Sequence, residues 1–395
     1  MSTQEHGGSS ALVTADPISV RTGKTYNYDF GVRLGQRNAR FTTGAVTPHL
    51  SHRFVRFLPF LHRLQGIALI EPGYDLLHLK NAVPLFHTKP YILTFEDFLP
   101  RVPEDFYVAG LHRFLLRALA SSRCKRILAQ SEYGVRTFMV QNRGLPHLEA
   151  VRAKMEVLRP VLPKRADRPK KRSDGLRLLF VGRDFLRKGG PALTRAHEIL
   201  RKAGAPVESV VVSDFRWADL DYVGPRDPEL SEAERRRAAR AGLDLRGSQP
   251  RAEVARLMRE ADFLVFPTLH DTYGFVTLEA LASGTPVIAS NTCAQPEMVQ
   301  HGINGWLLPF ENDSEIGRWR WLYRIDEPDY GEAYRQATER MGGDIAESLL
   351  SALEGSADYE EMSAAALATI DAGHDVASAR ARLERIYADA VGRPG

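Results

Sequence analysis

Six short apolar runs in the second half of the chain constrain its fold more than any other feature. They read LRLLFVG (176–182), ESVVVSD (208–214), LDLRG (243–247), DFLVFP (262–267), TPVIAS (285–290) and GWLLP (305–309). Each has the length of a strand buried on both faces. Helical stretches are expected at about 190–203, 251–260 and 276–283, with a polar, charge-rich segment at 215–240. Strands alternating with helices in this way call for a parallel α/β sheet with both faces covered.

The first half repeats the pattern less clearly. YDLLHLK (74–80), KPYILTFED (89–97), KRILAQS (125–131) and KMEVLRP (154–160) read as strands, with helices at about 106–121 and 132–142. A chain of 395 residues accommodates two domains of ordinary size. The boundary falls in LPKRADRPKKRSDG (162–175), which has two prolines, no aromatic residue and a cluster of basic side chains, the composition of an exposed linker. The expected organisation is therefore a disordered lead over 1–17, an α/β domain over 18–161, the linker, and a second α/β domain over 176–372 with a helical extension. The amphipathic stretch VASARARLERIYADAV (376–391) forms a closing helix within 373–395. Two such domains leave a cleft, and open parallel sheets bind ligands beyond the carboxyl ends of their strands.

Composition removes several classes of function. Hydrophobic content of 44% and charged content of 26% are those of a soluble globular protein. The longest apolar runs fall far short of a membrane span. The N-terminus lacks the basic start and apolar run of a secretory signal. Two cysteines, Cys124 and Cys293, make neither a metal motif nor a disulfide framework, so a cytoplasmic location is expected. The net charge of +4 conceals an asymmetry. Residues 1–172 hold 27 Lys+Arg against 13 Asp+Glu, a balance of +14, and the rest hold 26 against 36, a balance of −10. The basic half is expected to face an anionic partner. Its positive charge lies partly in HLSHRFVRFLPFLHRLQG (49–66) and GLHRFLLRALASSRCKR (110–126), where Arg and His alternate with Phe and Leu at helical spacing. For 49–66 contact with an anionic membrane surface or a lipid acceptor is expected, which would make the protein peripheral on the inner face of a membrane. For 110–126 the expectation is a helix packed on the sheet with its basic face in water. Nucleic acid is not an expected partner, because no recognised motif or aromatic stacking platform appears.

Two loops could hold a phosphate-bearing ligand. In FVGRDFLRKGG (180–190), Gly182 ends a strand, and Arg183 and Lys188 can approach one point from either side of a tight turn. The plainer reading is two solvated surface cations, and no Walker or G-x-G-x-x-G spacing supports an ordinary P-loop or dinucleotide site. In TLHDTYG (268–274) the chain leaves a strand and enters a helix at Phe275 or Val276. The exposed N–H groups and positive end of that helix favour an anion, and Gly274 clears the approach. Glu279, about one turn into the helix, can accept two hydrogen bonds from neighbouring hydroxyls such as those of a ribose. Asp271 can touch another part of the same ligand. Each acid also has a plain structural reading, as a helix-start acid and a turn residue.

From LLFVGRDFLRKGG through GSQPRAEVARLMREADFLVFPTLHDTYGFVTLEALASGTPVIASNTCAQPEMVQHGINGWLLP, the chain resembles the C-terminal domain of retaining glycosyltransferases of family 4, also called glycosyl transferases group 1, with the GT-B fold. The likeness is dense over about 176–310, and its acid–seven residues–acid element, Asp271 to Glu279, is the family's donor signature. The resemblance implies two Rossmann-like domains facing a cleft. It implies that Arg183 and Lys188 hold the donor diphosphate, Glu279 the ribose hydroxyls, and the backbone around Gly274–Val276 phosphate and sugar. Gly182, Phe275 and Val276 line that donor site, and Asp271 contacts the sugar hydroxyls. The family normally has Glu at the first acidic position, so Asp271, one methylene shorter, shifts the sugar contact.

The first half is less similar to the family. FGVRLGQRNARF (30–41) supplies only Gly31 and Gly35 where many members have a Gly-rich loop. Phe95 stands where many have a His near the reacting sugar. Glu96 and Asp97 follow, as acceptor contacts or as caps of the next element, and His87 is a further candidate by proximity in sequence. The function expected from the resemblance is transfer of a sugar from a nucleotide diphosphate sugar to a cell-surface polysaccharide or lipid-linked glycan precursor, with retention of configuration and no metal or cofactor. The alternative is a non-catalytic GT-B protein that binds a nucleotide sugar as part of a glycan assembly system.

Overall fold

The computed structural model describes residues 17–23, 39–46, 67–70, 73–84, 88–100, 109–215, 225, 227–355 and 358–393. The stretches at 30–38 and 49–66, and His87, lie outside the described residues.

The first domain is built on a sheet of eight strands: β1 (Ile18–Gly23), β2 (Ala39–Val46), β3 (Ile67–Ile70), β4 (Leu76–Lys80), β5 (Val83–Pro84), β6 (Tyr91–Phe95), β7 (Cys124–Ala129) and β8 (Met155–Val157). Their order is β5-β3-β2-β1-β4-β6-β7-β8, parallel throughout except for the antiparallel pair β2–β3. The four strands expected from the apolar runs form the β4-β6-β7-β8 half. ISVRTG and ARFTTGAV pair as β1 and β2 although polar residues interrupt both. One face of the sheet carries α1 (Ala109–Ala120), α2 (Glu132–Gln141) and α3 (Leu148–Arg152) over Leu77, Leu79, Leu93, Phe95 and Ile127. On α1, Leu115, Leu116 and Leu119 are buried while Arg113, Phe114 and Arg117 are exposed. This is the amphipathic packing expected of 110–126.

The second domain has six parallel strands, β9 (Leu176–Val181), β10 (Val207–Val212), β11 (Asp244–Arg246), β12 (Phe263–Phe266), β13 (Val287–Ser290) and β14 (Gly305–Leu308), in the order β11-β10-β9-β12-β13-β14. Helices α4 (Gly190–Lys202), α5 (Pro228–Ala241), α6 (Arg251–Glu260) and α7 (Phe275–Ala282) make the crossovers, and α8 (Tyr330–Leu353) and α9 (Tyr359–Gly373) form the extension. Apolar clusters cover both faces of the sheet. The charge-rich stretch after β10 contains a full helix, α5. Asp227 caps its start, accepting from Glu229 N and Leu230 N, Pro228 follows the cap, and Gly242 with φ 91° ends it. Charge hid this helix because only its inner face is buried.

The segment 162–175 is less exposed than its composition implies. Lys164 pairs with Asp371 at 2.6 Å, Lys170 Nζ donates to Met258 O at 3.2 Å and to Thr285 Oγ1 at 2.9 Å, and Ser173 N donates to Asp262 Oδ1 at 3.0 Å. Its cations thus close open carbonyl and carboxylate groups of the second domain. The chain crosses between domains twice, side by side: Leu162 N donates to His374 O at 3.3 Å, and His374 Nδ1 lies 2.7 Å from Pro160 O. The final helix, α10 (Val376–Val391), then lies on the first domain's sheet, with Leu383, Ile386 and Tyr387 against Ile18, Val20, Leu76 and Ile92. The domains also meet directly at α2. Tyr133 is buried in the second domain's cluster, and the Glu297 carboxylate accepts from Glu132 N at 2.9 Å and Tyr133 N at 2.7 Å.

Candidate functional site

Because the six strands of the second domain run parallel, their C-terminal ends share one edge of the sheet. The loops after β9 and β12 meet there. In the first, Gly182 follows β9, Phe185 and Leu186 turn into the core, and Gly189 adopts φ 79°, which favours glycine. A Cβ on Gly189 would stand 1.9 Å from Pro267 O, so glycine there is what lets the loop reach the end of β12. Contact between the loops brings Lys188 to the acid. Lys188 Nζ lies 2.6 Å from Asp271 Oδ2 and donates to His270 O at 2.9 Å.

Asp271 uses its other oxygen on the helix. Oδ1 accepts from Gly274 N at 2.8 Å and from Tyr273 N at 3.3 Å, ordering the turn that begins α7. Gly274 is the residue before the helix, with φ 92°, and a Cβ there would meet Gln295 Nε2 at 2.1 Å. Burial pulls the Asp271 carboxyl up, but Lys188 and then Arg187 overcome it and hold the group below its ordinary value. The Lys188 ammonium is lowered by burial and by Arg187, against the pull of Asp271. The loop therefore presents a buried cation, an ionised acid and a helix N-terminus at one place.

Gly182, Arg183, Lys188, Asp271, Phe275, Val276 and Glu279, expected separately from the two loops, all line one cavity of about 510 Å³. Gly274 is not among the lining residues; it is the left-handed residue before α7. Glu279 is buried on the inner side of the helix at 8% exposure. Ser248 and Gln249, between β11 and α6, and Arg251, the first residue of α6, also line the cavity.

Glu96 and Asp97 belong to the first domain and do not line this cavity. Glu96 pairs with Lys80 at 2.5 Å, joining the ends of β4 and β6. Asp97 is buried and accepts from Phe98 N at 2.7 Å. Phe95 points into the core against Phe138, with ring centroids 6.1 Å apart. Among the described residues no group of three or more His, Cys, Asp or Glu is placed to hold a metal ion.

Of the residues that escaped sequence reading, Arg165 and His270 stand against the two acids. Arg165, from the segment between domains, lines the cavity, and its Nη2 donates to Glu279 Oε1 at 3.3 Å. Only its position inside the proline-containing boundary segment 162–175 could have drawn attention to it, and that gives no direction. His270 is buried beside the pair, and burial, then Arg187 and Lys188, push its imidazole down to about 3. Its neighbour Asp271 carried the signature, which masked it.

Comparison with known proteins agrees with this geometry. The family described as "Glycosyl transferases group 1" matches residues 163–319. The amylovoran biosynthesis glycosyltransferase AmsK of Erwinia amylovora is 30% identical over 149 residues, 35% of this chain and 33% of the relative. The alignment thus spans about a third of that relative's length. Among solved structures, a glycosyltransferase of Rickettsia africae aligns over 96% of this chain and 100% of its own, with a TM-score of 0.61 at 12% identity. HepE of Anabaena, solved in complex with UDP and glucose, aligns over 94% of this chain and 100% of its own, with a TM-score of 0.57 at 12% identity. At such identity the likeness is one of fold. The match over 163–319 contains both donor-side loops and the residues that line the cavity they enclose, so this part of the chain matches the glycosyl transferases group 1 family, and the chain as a whole has the GT-B fold.

Proposed function

We propose that the protein is a retaining glycosyltransferase of family 4 that transfers a sugar from a nucleotide diphosphate sugar to a polysaccharide or a lipid-linked glycan precursor. One observation carries this reading: Lys188, Asp271, the N-terminus of α7 and Glu279 converge on a single cavity at the carboxyl edge of the second sheet. Arg183, Lys188 and the first-turn N–H groups of α7 supply positive charge where a diphosphate leaves. Glu279 accepts the ribose hydroxyls, and Asp271 reaches the sugar.

The acceptor enters from the first domain, past Glu96 and Asp97, and attacks from the face the diphosphate is leaving. A phosphate oxygen then takes the acceptor's proton, so no separate general base is needed. The fixed cations stabilise the departing diphosphate, and the enzyme works without a bound metal or cofactor. AmsK is named for amylovoran biosynthesis and HepE was solved with UDP and glucose; both support a polysaccharide product and a nucleotide-sugar donor here. No helix among the described residues is long and apolar enough to cross a membrane. Residues 49–66 provide the proposed contact with an anionic membrane surface on its cytoplasmic side.

The test is a thermal-shift screen against UDP, GDP, ADP and their sugar conjugates, with and without chelator, repeated on Glu279→Ala. One nucleotide should raise the melting temperature at millimolar concentration, with or without chelator, and the folded variant should lose the response. Silence from every nucleotide would reject the reading. Binding of a sugar conjugate with neither hydrolysis nor transfer to glycan acceptors would instead mark a non-catalytic GT-B protein.

A further inference from the structure

One wall of the cavity comes from a part of the chain that belongs to neither loop. Arg165 lies in the segment between the domains, and its backbone N–H donates to Ala282 O at 2.7 Å. That carbonyl ends α7, the helix that carries Glu279. From this anchor the side chain runs back along the helix. Nη2 donates to Glu279 Oε1 at 3.3 Å, while Nη1 lies 3.9 Å from Met258 Sδ at the end of α6. The Glu279 side chain is 11% exposed and that of Arg165 25%, so the pair forms part of the wall with an edge open to the cavity.

We propose that Arg165 is a positioning residue of the donor site, fixing the Glu279 carboxylate in the orientation that receives the ribose of a nucleoside diphosphate. This rests on the reading of Glu279 given above. A glutamate on a helix can turn about three side-chain torsions, and ordering them when a ligand arrives would subtract from binding. Arg165 orders them beforehand. Its planar guanidinium holds one carboxylate oxygen through a charge-assisted bond, while the backbone bond to Ala282 fixes where the guanidinium starts. The ribose hydroxyls donate to the same carboxylate, whose two oxygens offer about four acceptor sites. The effect passes through the ribose contact. Ligands with ribose hydroxyls feel it, and ligands without them do not.

This separates positioning from two plainer roles. If Arg165 only stabilised the fold, its removal would lower the melting temperature and leave affinities alone. If it only added positive charge to the cavity, its removal would weaken every diphosphate alike.

The experiment measures by calorimetry the binding of three ligands to the whole protein. They are whichever of UDP, GDP and ADP stabilises it most, the 2′,3′-dideoxy form of that nucleotide, and inorganic pyrophosphate. Arg165→Ala should weaken the ribonucleotide about ten-fold and leave the other two within about two-fold. Arg165→Lys should recover part of the loss, and Arg165→Ala should add nothing in a Glu279→Ala background. Arg165→Gln, which keeps a donor for Glu279 without the charge, gives an intermediate loss and serves if the alanine variant does not fold. Unchanged ribonucleotide binding, or an equal loss for pyrophosphate, would overturn the proposal while leaving the donor site intact. If Glu279→Ala itself binds the ribonucleotide normally, or no nucleotide binds the wild type, the underlying reading fails and the role of Arg165 fails with it.

Discussion

Asp271 serves two partners with its two oxygens. Oδ1 accepts from the Gly274 N–H that opens α7, and Oδ2 faces the Lys188 ammonium. The cation proposed for the diphosphate is therefore paired with Asp271, and a diphosphate has to share it. Asp271→Asn separates these roles, because the amide oxygen keeps the bond to Gly274 while the charge disappears. The variant should fold, and Lys188, freed of its anion, should hold a bare nucleoside diphosphate as tightly as the wild type or more tightly. The sugar conjugate should lose its advantage over the bare nucleotide by about ten-fold if Asp271 accepts from sugar hydroxyls. Calorimetry of the two ligands decides it. A parallel loss for both would mean that Asp271 acts only by ordering the loop.

At the scale of elements, the 3₁₀ turn Gln295–Glu297 binds both domains to the start of α7. Gln295 Oε1 accepts from Thr277 Oγ1 at 2.7 Å and Nε2 donates to Tyr273 O at 3.2 Å, bracing the donor helix. Two residues on, Glu297 caps α2 of the other domain, and burial raises its carboxyl above the ordinary range. Glu297→Gln removes the charge at that helix start and leaves one oxygen to accept where there were two. It should cost about 1–2 kcal/mol, read as a lower denaturant midpoint, and small-angle scattering should show a larger radius of gyration as the domains part. An unchanged midpoint would sink the assignment. Elements also decide how much of the fold was legible. LLFVG, VVV and FLVF announced the second sheet because both faces are buried, and the 3.6-residue rhythm of 376–391 announced α10. By contrast β1 and β2 carry Arg21, Thr22, Arg40, Thr42 and Thr43 inside their strands, so no apolar run marks them. The donor loops were legible because their residues lie within a few positions of each other in sequence. Arg165 was not, since it reaches Glu279 from 114 residues away.

For the whole molecule, two buried histidines tie each half to acid. His78 stands in the first sheet with Nδ1 2.7 Å from Tyr387 Oη of α10 and Nε2 2.7 Å from Thr94 Oγ1, and burial lowers its imidazole from 6.5 to about 3. His270 in the second domain is lowered to about 3 as well, by burial first and then by Arg187 and Lys188. The folded state leaves both rings neutral over a range in which the unfolded chain binds protons. Stability from each is fully present above pH 6.5 and is lost as the pH falls from there toward 3. Between pH 7 and pH 5 each site should cost on the order of 2 kcal/mol, and together the two rings should add about two protons to those taken up on unfolding. Glu297, with its raised carboxyl, works in the opposite sense: its burial cost is relieved as the pH falls from its raised value toward 4.5, so its share is taken from the Glu297→Gln variant and subtracted. Urea midpoints at pH 7 and pH 5 measure the drop directly, to which the lowered His197 and His374 add in the same sense, and His78→Gln and His270→Gln should each reduce it by about 2 kcal/mol. Because His78 holds Tyr387 of the closing helix, its share should also appear as earlier proteolysis of α10 at pH 5. If the midpoint is the same at both pH values, or if neither variant flattens the dependence, the two rings do not stay neutral in the folded protein.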